Sequence, residues 1–369
     1  MQQPTAMRTD RRDARPWFVP LLFLPMLLAA CASPAYYSQA VSGHFELMRL
    51  REPIEELLAS PDTSPELKQR LSLAQDIRTF GIDDIGLSAD AGYTQFAKTG
   101  REAVSWNVVA APEFSLEPKT WCFAVAGCVP YRGYFKKEGA TRFAGKLNDK
   151  GYDVSVTPAT AYSTLGWFDD PLLDTMLAND DAELAAFLFH EMAHQYLYVK
   201  GDTLFNESFA SFVEEAGVQL WLESLGAGAS LEPWETSRQV AQAFQVLLLS
   251  FRADLEQLYA SERPEQEMRT EKSRLFTQLE HAWAAQLDEQ WNGASYYAAW
   301  FDSEPNNARL ALVQSYRGGT CAFQNLFREA GRDMPRFLNA ASDKAKMDRK
   351  DRSDWLKQPC KPIAPESKL

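Results

Sequence analysis

A concentrated basic face is missing from this 369-residue sequence, in which 38 Lys and Arg stand against 50 Asp and Glu for a net charge of −12. Nucleic-acid binders need such a face to displace phosphate counterions, and the one dense basic stretch here is short, from Lys344 to Lys361. The apolar run from Trp17 to Ala30 has only 14 residues and is interrupted by Pro20 and Pro25, so it does not read as a membrane span. None of the five cysteines forms a CxxC pair, which argues against a cysteine-rich zinc site or a thioredoxin-like redox site. Low-complexity linkers and internal repeats are lacking too. What remains is 46 % apolar, 12 % aromatic and 24 % charged, the make-up of a globular protein with a substantial core.

The first 30 residues stand apart. Arg8, Arg11, Arg12 and Arg15 precede the apolar run, as in a secretory leader. Its end, Leu28-Ala29-Ala30-Cys31, resembles a bacterial lipobox, in which cleavage before the cysteine leaves Cys31 to carry a lipid. Ala32 in the next position resembles lipoproteins sorted to the outer membrane, facing the periplasm. Removing residues 1–30, with four arginines and two aspartates, takes the charge to −14.

Export brings the chain into an oxidising compartment, where Cys122, Cys128, Cys321 and Cys360 can form two disulfides. Three connectivities are open. Cys122–Cys128 with Cys321–Cys360 is the favoured one, and four buried thiols are the alternative.

Residues 31–225 read as N-terminal helices, a mixed sheet and a helix pair. Helical periodicity covers Tyr36 to about Thr79 in two stretches split at Pro61-Asp62-Thr63-Ser64, with Ser64 and Pro65 as a helix start. Aromatic and β-branched runs from Trp106 to Tyr134 predict strands, Lys137–Lys150 a helix, and Tyr152–Pro158 with Ala161–Trp167 two further strands. Residues 226–345 read as a helical C-terminal subdomain with long helices over Thr236–Tyr259 and Glu265–Leu287, and 346–369 as a polar tail. Mixed sheet first and helices afterwards is an α+β order.

The chemistry is concentrated at His190-Glu191-Met192-Ala193-His194. Residues four apart on a helix stand one above the other, their Cβ atoms about 5–6 Å apart, so two imidazoles can hold one metal. Glu191 beside them can act as general base on a metal-bound water without being a ligand. A catalytic zinc site takes three protein ligands. Only four histidines are present, and His44 and His281 lie in unpromising contexts, which points to Glu207. His194 precedes the turn near Lys200-Gly201 by about as many residues as Glu207 follows it, so in an antiparallel hairpin the two stand level. By the same count Ser211 falls level with His190, and Glu214 shares the face of Glu207; both are candidates to hold the ligand histidines from behind.

Asn206-Glu207-Ser208-Phe209-Ala210 after the HExxH motif resembles the gluzincin arrangement, in which a second helix supplies a glutamate. More narrowly, Trp106-Asn107-Val108, Trp121-Cys122-Phe123, Tyr131-Arg132-Gly133-Tyr134-Phe135 and the stretch from Ala161 to Pro171 resemble the bacterial family of predicted zinc aminopeptidases exported as lipoproteins. The resemblance implies a zincin-like fold, one Zn2+ and a peptide substrate losing N-terminal residues. It also implies a Tyr or His that steadies the oxyanion, for which Tyr316 and Tyr134 are the candidates. The strand around Gly166 is the expected edge for the peptide, and Asp169 and Asp170 the expected anchors for its ammonium. Two other functions remain open: an envelope zinc endopeptidase, and a non-catalytic lipoprotein with a structural zinc whose helices dock a partner.

Overall fold

The computed structural model describes residues 34–88, 92–123, 127–161, 169–226, 228–302, 305–313 and 319–361. It is a mixed α+β structure, mostly helical, with small sheets. Among the described residues no helix is long and apolar enough to cross a membrane.

The described residues start with α1 (Pro34–Arg49), a short strand β1 (Arg51–Pro53), α2 (Ile54–Ala59) and α3 (Pro65–Phe80). Periodicity reads only one break before Thr79. The strand adds a second, because Arg51–Pro53 pairs antiparallel with β2 (Gln95–Ala97), a tertiary contact that no local pattern announces. The helix start at Ser64 is as expected: its hydroxyl accepts from the Leu67 amide at 3.3 Å and Pro65 opens the helix.

A second sheet centres on β3 (Ser105–Pro112). The hairpin of β4 (Trp121–Phe123) and β5 (Gly127–Val129) is closed by the Cys122–Cys128 disulfide. β6 (Arg132–Tyr134), α4 (Lys137–Asn148) and β7 (Tyr152–Ala159) follow, and β6 and β7 flank β3 antiparallel. Side-chain alternation gives this sheet two faces. Trp106, Val108, Ala110 and Tyr134 pack on Ala140, Ala144 and Leu147 of α4, whereas Val109 and Ala111 turn the other way, onto Ala308 and Ala311. β8 (Leu172–Leu173) then returns to lie parallel to β2, leading into α5 (Asp174–Leu177). Residues 162–168, most of the expected strand Ala161–Trp167, lie outside the described residues.

The helical part begins with α6 (Asp181–Tyr196) and α7 (Thr203–Ser224), followed by α8 (Gly228–Tyr259), α9 (Glu265–Trp291), α10 (Ala298–Phe301) and α11 (Asn307–Leu310). α12 (Thr320–Glu329), α13 (Met334–Ala345) and α14 (Arg349–Leu356) close the described chain. These helices do not form the single subdomain expected over 226–345. Val240, Phe244 and Leu255 of α8 and Leu275, Leu279 and Trp283 of α9 make a core with Leu116 and Leu310. α12 to α14 instead join the main core, where Phe205, Phe209 and Phe212 recur at helical spacing along one side of α7. Phe323 stands 5.2 Å from Phe205 between ring centroids, and Phe337 stands 4.8 Å from Phe212. Nor is 346–369 wholly a polar tail. Residues Arg349–Leu356 are helical because Asp348 caps their first amides, and Leu356 is buried in that same core. Cys360 is joined to Cys321.

Candidate metal centre

The site is built on the antiparallel pair α6 and α7. Asp180 caps α6, its carboxylate accepting from the Glu183 amide at 2.8 Å. Leu184, Ala185, Leu188, Phe189, Met192 and Ala193 form the buried side of α6, which leaves His190 and His194 on the flank that faces α7. α6 ends at Tyr196, a few residues before the expected stop, and the connection is pinned rather than loose. The Val199 amide donates to Asn206 Oδ1 at 2.8 Å and Asn206 Nδ2 donates to the Val199 carbonyl at 2.9 Å, so the residue before Glu207 is fixed against the end of α6. Asp202 caps α7 through the Phe205 amide at 3.2 Å and accepts from Arg352 Nε of α14 at 2.6 Å.

These anchors bring three donor groups together. Glu207 places one carboxylate oxygen 3.6 Å from His190 Nε2 and the other 3.7 Å from His194 Nε2. The two imidazole centroids are 4.8 Å apart, and one ligand atom from each of the three residues lies within 4.8 Å of the others. Bonds of about 2.0–2.1 Å at a tetrahedral angle separate ligand atoms by about 3.3 Å, so donors that stand up to 4.8 Å apart hold a zinc-sized ion once they close by up to about 1.5 Å. The donor set, two imidazoles and one carboxylate, also suits that ion.

Glu214 stands behind His190, its Oε2 3.0 Å from Nδ1, and its other oxygen accepts from Arg238 Nη1 of α8 at 3.3 Å. Arg238 is itself laid over the Trp234 ring at 4.2 Å. Ser211 is half-buried on α7, and among the described residues no hydrogen bond joins it to either imidazole.

The electrostatics follow from these contacts. Burial by itself disfavours the charged form of His190, but the hydrogen bonds that Glu207 and Glu214 accept from it outweigh this and raise the imidazole to about 10. Burial and the neighbouring charge of His190 lower His194 to about 4. Burial opposes the charge on Glu207 as well; the His190 hydrogen bond and the positive field of the pair overcome it and hold its carboxyl below the usual range.

Other expected residues are placed differently. Tyr134 is buried on the α4 face of the second sheet, its ring 5.6 Å from those of Tyr36 and Phe143, and so is turned away from the histidines. Asp170 is closed off at 1 % exposure, beside the Tyr93 phenol, while Asp169 is exposed and its carbonyl accepts from Arg51. Tyr316, Gly166 and Cys31 lie outside the described residues.

The structure adds two tyrosines at the mouth of the site. Tyr198 stands with its ring 6.4 Å from His194. Tyr131 is raised by burial and then by the charges of Glu207, Tyr198 and Glu191, so its phenol lies within electrostatic reach of the site's carboxylates. The parity of β6 is the signal that finds Tyr131: Arg132 and Tyr134 point to the α4 face, so residue 131 points to the other.

A family model described as "Putative aminopeptidase" matches residues 35–356. The chain belongs to that family. Its match begins at the start of α1 and ends with α14, so both the second sheet and the helices that back α7 are part of what defines this aminopeptidase family. Searches of curated proteins and of solved structures find no match to the chain.

Proposed function

We propose that the chain is a zinc-dependent aminopeptidase of the bacterial envelope, with a zincin-like gluzincin site, held by a lipid on Cys31 to the outer membrane and facing the periplasm. The observation that carries the catalytic part is the convergence of His190, His194 and Glu207 with Glu191 beside them. Family membership supports a peptide substrate.

In this reading His190, His194 and Glu207 hold the ion. When bound, zinc polarises the scissile carbonyl and acidifies a water toward a pKa of about 7. The chain's own groups do the rest. Glu191 follows His190 on α6 and is not a ligand; it takes the proton of the attacking water and returns it to the leaving amine. Glu214 accepts a hydrogen bond from the His190 Nδ1–H, which fixes the tautomer that leaves the Nε2 lone pair for the ion. A rim phenol steadies the developing oxyanion, with Tyr131 and Tyr316 as candidates.

The test is mass spectrometry of a peptide library incubated with the zinc-loaded chain from Ala32 onward, each peptide with a free and with an acetylated N-terminus. Stepwise loss of single residues from free termini only, absent in Glu191→Gln, is the expected result. Internal cuts indifferent to acetylation would make the chain an endopeptidase.

A further inference from the structure

β6 pairs with β3 on one side only. In its register Gly133 lies opposite Asn107, between the pairs Val108–Arg132 and Trp106–Tyr134. In an antiparallel strand the N–H and C=O of one residue point to the same side, and the sides alternate along the chain. Gly133 belongs to the outward set. Its carbonyl accepts from Gln39 Nε2 of α1 at 3.3 Å, and the Phe135 amide two residues on donates to Gln39 Oε1 at 3.2 Å. The primary amide of Gln39 therefore occupies the outer edge of β6 as the backbone of one more strand residue would.

α1 is fixed in that position. The Arg132 guanidinium lies 3.9 Å from the centroid of the Tyr36 ring, and a Cβ at Gly43 would collide with the Phe135 ring, so only glycine lets the helix come this close. In the other direction the strand leads back to Tyr131, and among the described residues no further strand pairs with this edge. The Gly133 amide faces outward with no protein partner among the described residues, and Tyr131, whose phenol is close enough to feel the charges of Glu207 and Glu191, follows on the same side.

We infer that the outer edge of β6 takes the substrate as an added antiparallel strand at Tyr131–Gly133, and that Gln39 blocks this edge one step further on, so that the peptide's N-terminus must end there. Edge addition supplies main-chain hydrogen bonds whatever the side chains. An antiparallel peptide directs its N-terminus toward Phe135, so the block falls on the amino side of the scissile bond. Gln39 is then the residue that sets how many residues precede the cut. The inference rests on the peptidase reading of the site.

The experiment compares the zinc-loaded chain from Ala32 onward with its Gln39→Ala and Gln39→Ala/Glu191→Gln variants on one peptide, free, N-acetylated and extended by two alanines at its N-terminus. Cleavage positions are read by mass spectrometry. Losing the plug and its two hydrogen bonds is expected to raise the ratio of cuts at the second and third bonds to cuts at the first by about tenfold, and to admit the acetylated peptide. The double variant should make no cut. Hydrogen exchange at the Phe135 amide should speed up in Gln39→Ala and, in Glu191→Gln, slow at Gly133 when the peptide is added. If alanine lowers the melting temperature, Gln39→Ser, which is also too short to reach the edge, takes its place. A folded, active Gln39 variant that still removes one residue at a time overturns this inference and leaves the peptidase intact. A wild type that cuts no peptide overturns both.

Discussion

Glu214 Oε2 and His190 Nδ1 are 3.0 Å apart, and Arg238 holds the other oxygen of the same carboxylate from α8. An imidazole bonded in this way presents its remaining nitrogen in a fixed direction. Glu214→Ala is expected to weaken zinc binding by about 10–100-fold. Arg238→Ala should weaken it less. Competition with a fluorescent chelator measures both, and equal affinity of Glu214→Ala and wild type would remove Glu214 from this role.

Glu191 differs from Glu207 in what it should cost to lose. Glu191→Gln is expected to retain zinc, measured by elemental analysis after dialysis, while kcat falls by about 10²–10⁴-fold. Glu207→Gln should lose the metal itself. If Glu191→Gln also came out metal-free, the distinction between base and ligand would fail.

Protons should leave when zinc enters. In the metal-free protein His190 is raised to about 10 and is charged at neutral pH, yet only the neutral imidazole binds a metal. Titration calorimetry at about pH 7.5 in two buffers of different ionisation enthalpy should therefore show net proton release, which shrinks in a Glu214→Gln protein that still binds the ion. The stability consequences have opposite signs for the two histidines. The raised His190 stabilises the metal-free fold fully below its unfolded value of 6.5, and this is lost as the pH climbs through about 10. The lowered His194 contributes above 6.5 and loses its contribution as the pH falls through about 4. Melting temperatures of the metal-free protein across this range should decline on both sides.

Gly217 lies mid-helix in α7, where alanine would ordinarily add about 1 kcal/mol. Here a Cβ would stand 2.9 Å from the ring of Phe189, the neighbour of His190, and 3.0 Å from Ile85. Overpacking of about 1–3 kcal/mol should outweigh the helix preference, so Gly217→Ala is expected to lower the melting temperature and Gly217→Val to lower it further. A stabilised Gly217→Ala would mean that α6 and α7 part easily at this level.

The Cys321–Cys360 bridge ties the end of the described chain to α12. Replacing both cysteines by serine should cost about 2–5 kcal/mol and loosen α14, seen as faster hydrogen exchange from Arg349 to Leu356.

Where contacts are local, the sequence is a good guide. His190 and His194 are one helical turn apart, Asp180 and Asp202 mark the helix starts, and a symmetric count across the short turn puts Glu207 beside the histidines. The pairing of Asn206 with Val199, which fixes the start of α7 against the end of α6, is not readable from the turn alone. Distant pairings leave no such trace. Arg51–Pro53 has no strand signal of its own and becomes β1 only through β2. Amphipathic spacing shows that α12 and α13 bury a face, but not that the face is laid on α7 rather than on α8 and α9. The tyrosines of Tyr131-Arg132-Gly133-Tyr134 divide between site and core according to the side alternation of a three-residue strand, whose parity is fixed by Trp106 and Val108 across the sheet.

The aromatic side of α7, Phe205, Phe209 and Phe212, is covered by Phe323, Phe337 and Trp355, from the last fifth of the chain. A polypeptide leaving the ribosome carries His190, His194 and Glu207 long before it carries their support. The cover of the helix that presents Glu207, and the Arg352 that holds its Asp202 cap, both come from the carboxy-terminal end. If the site takes zinc as proposed, a chain cut short before α12 has every donor but lacks the wall behind them, and metal capture would wait for the carboxy-terminal helices.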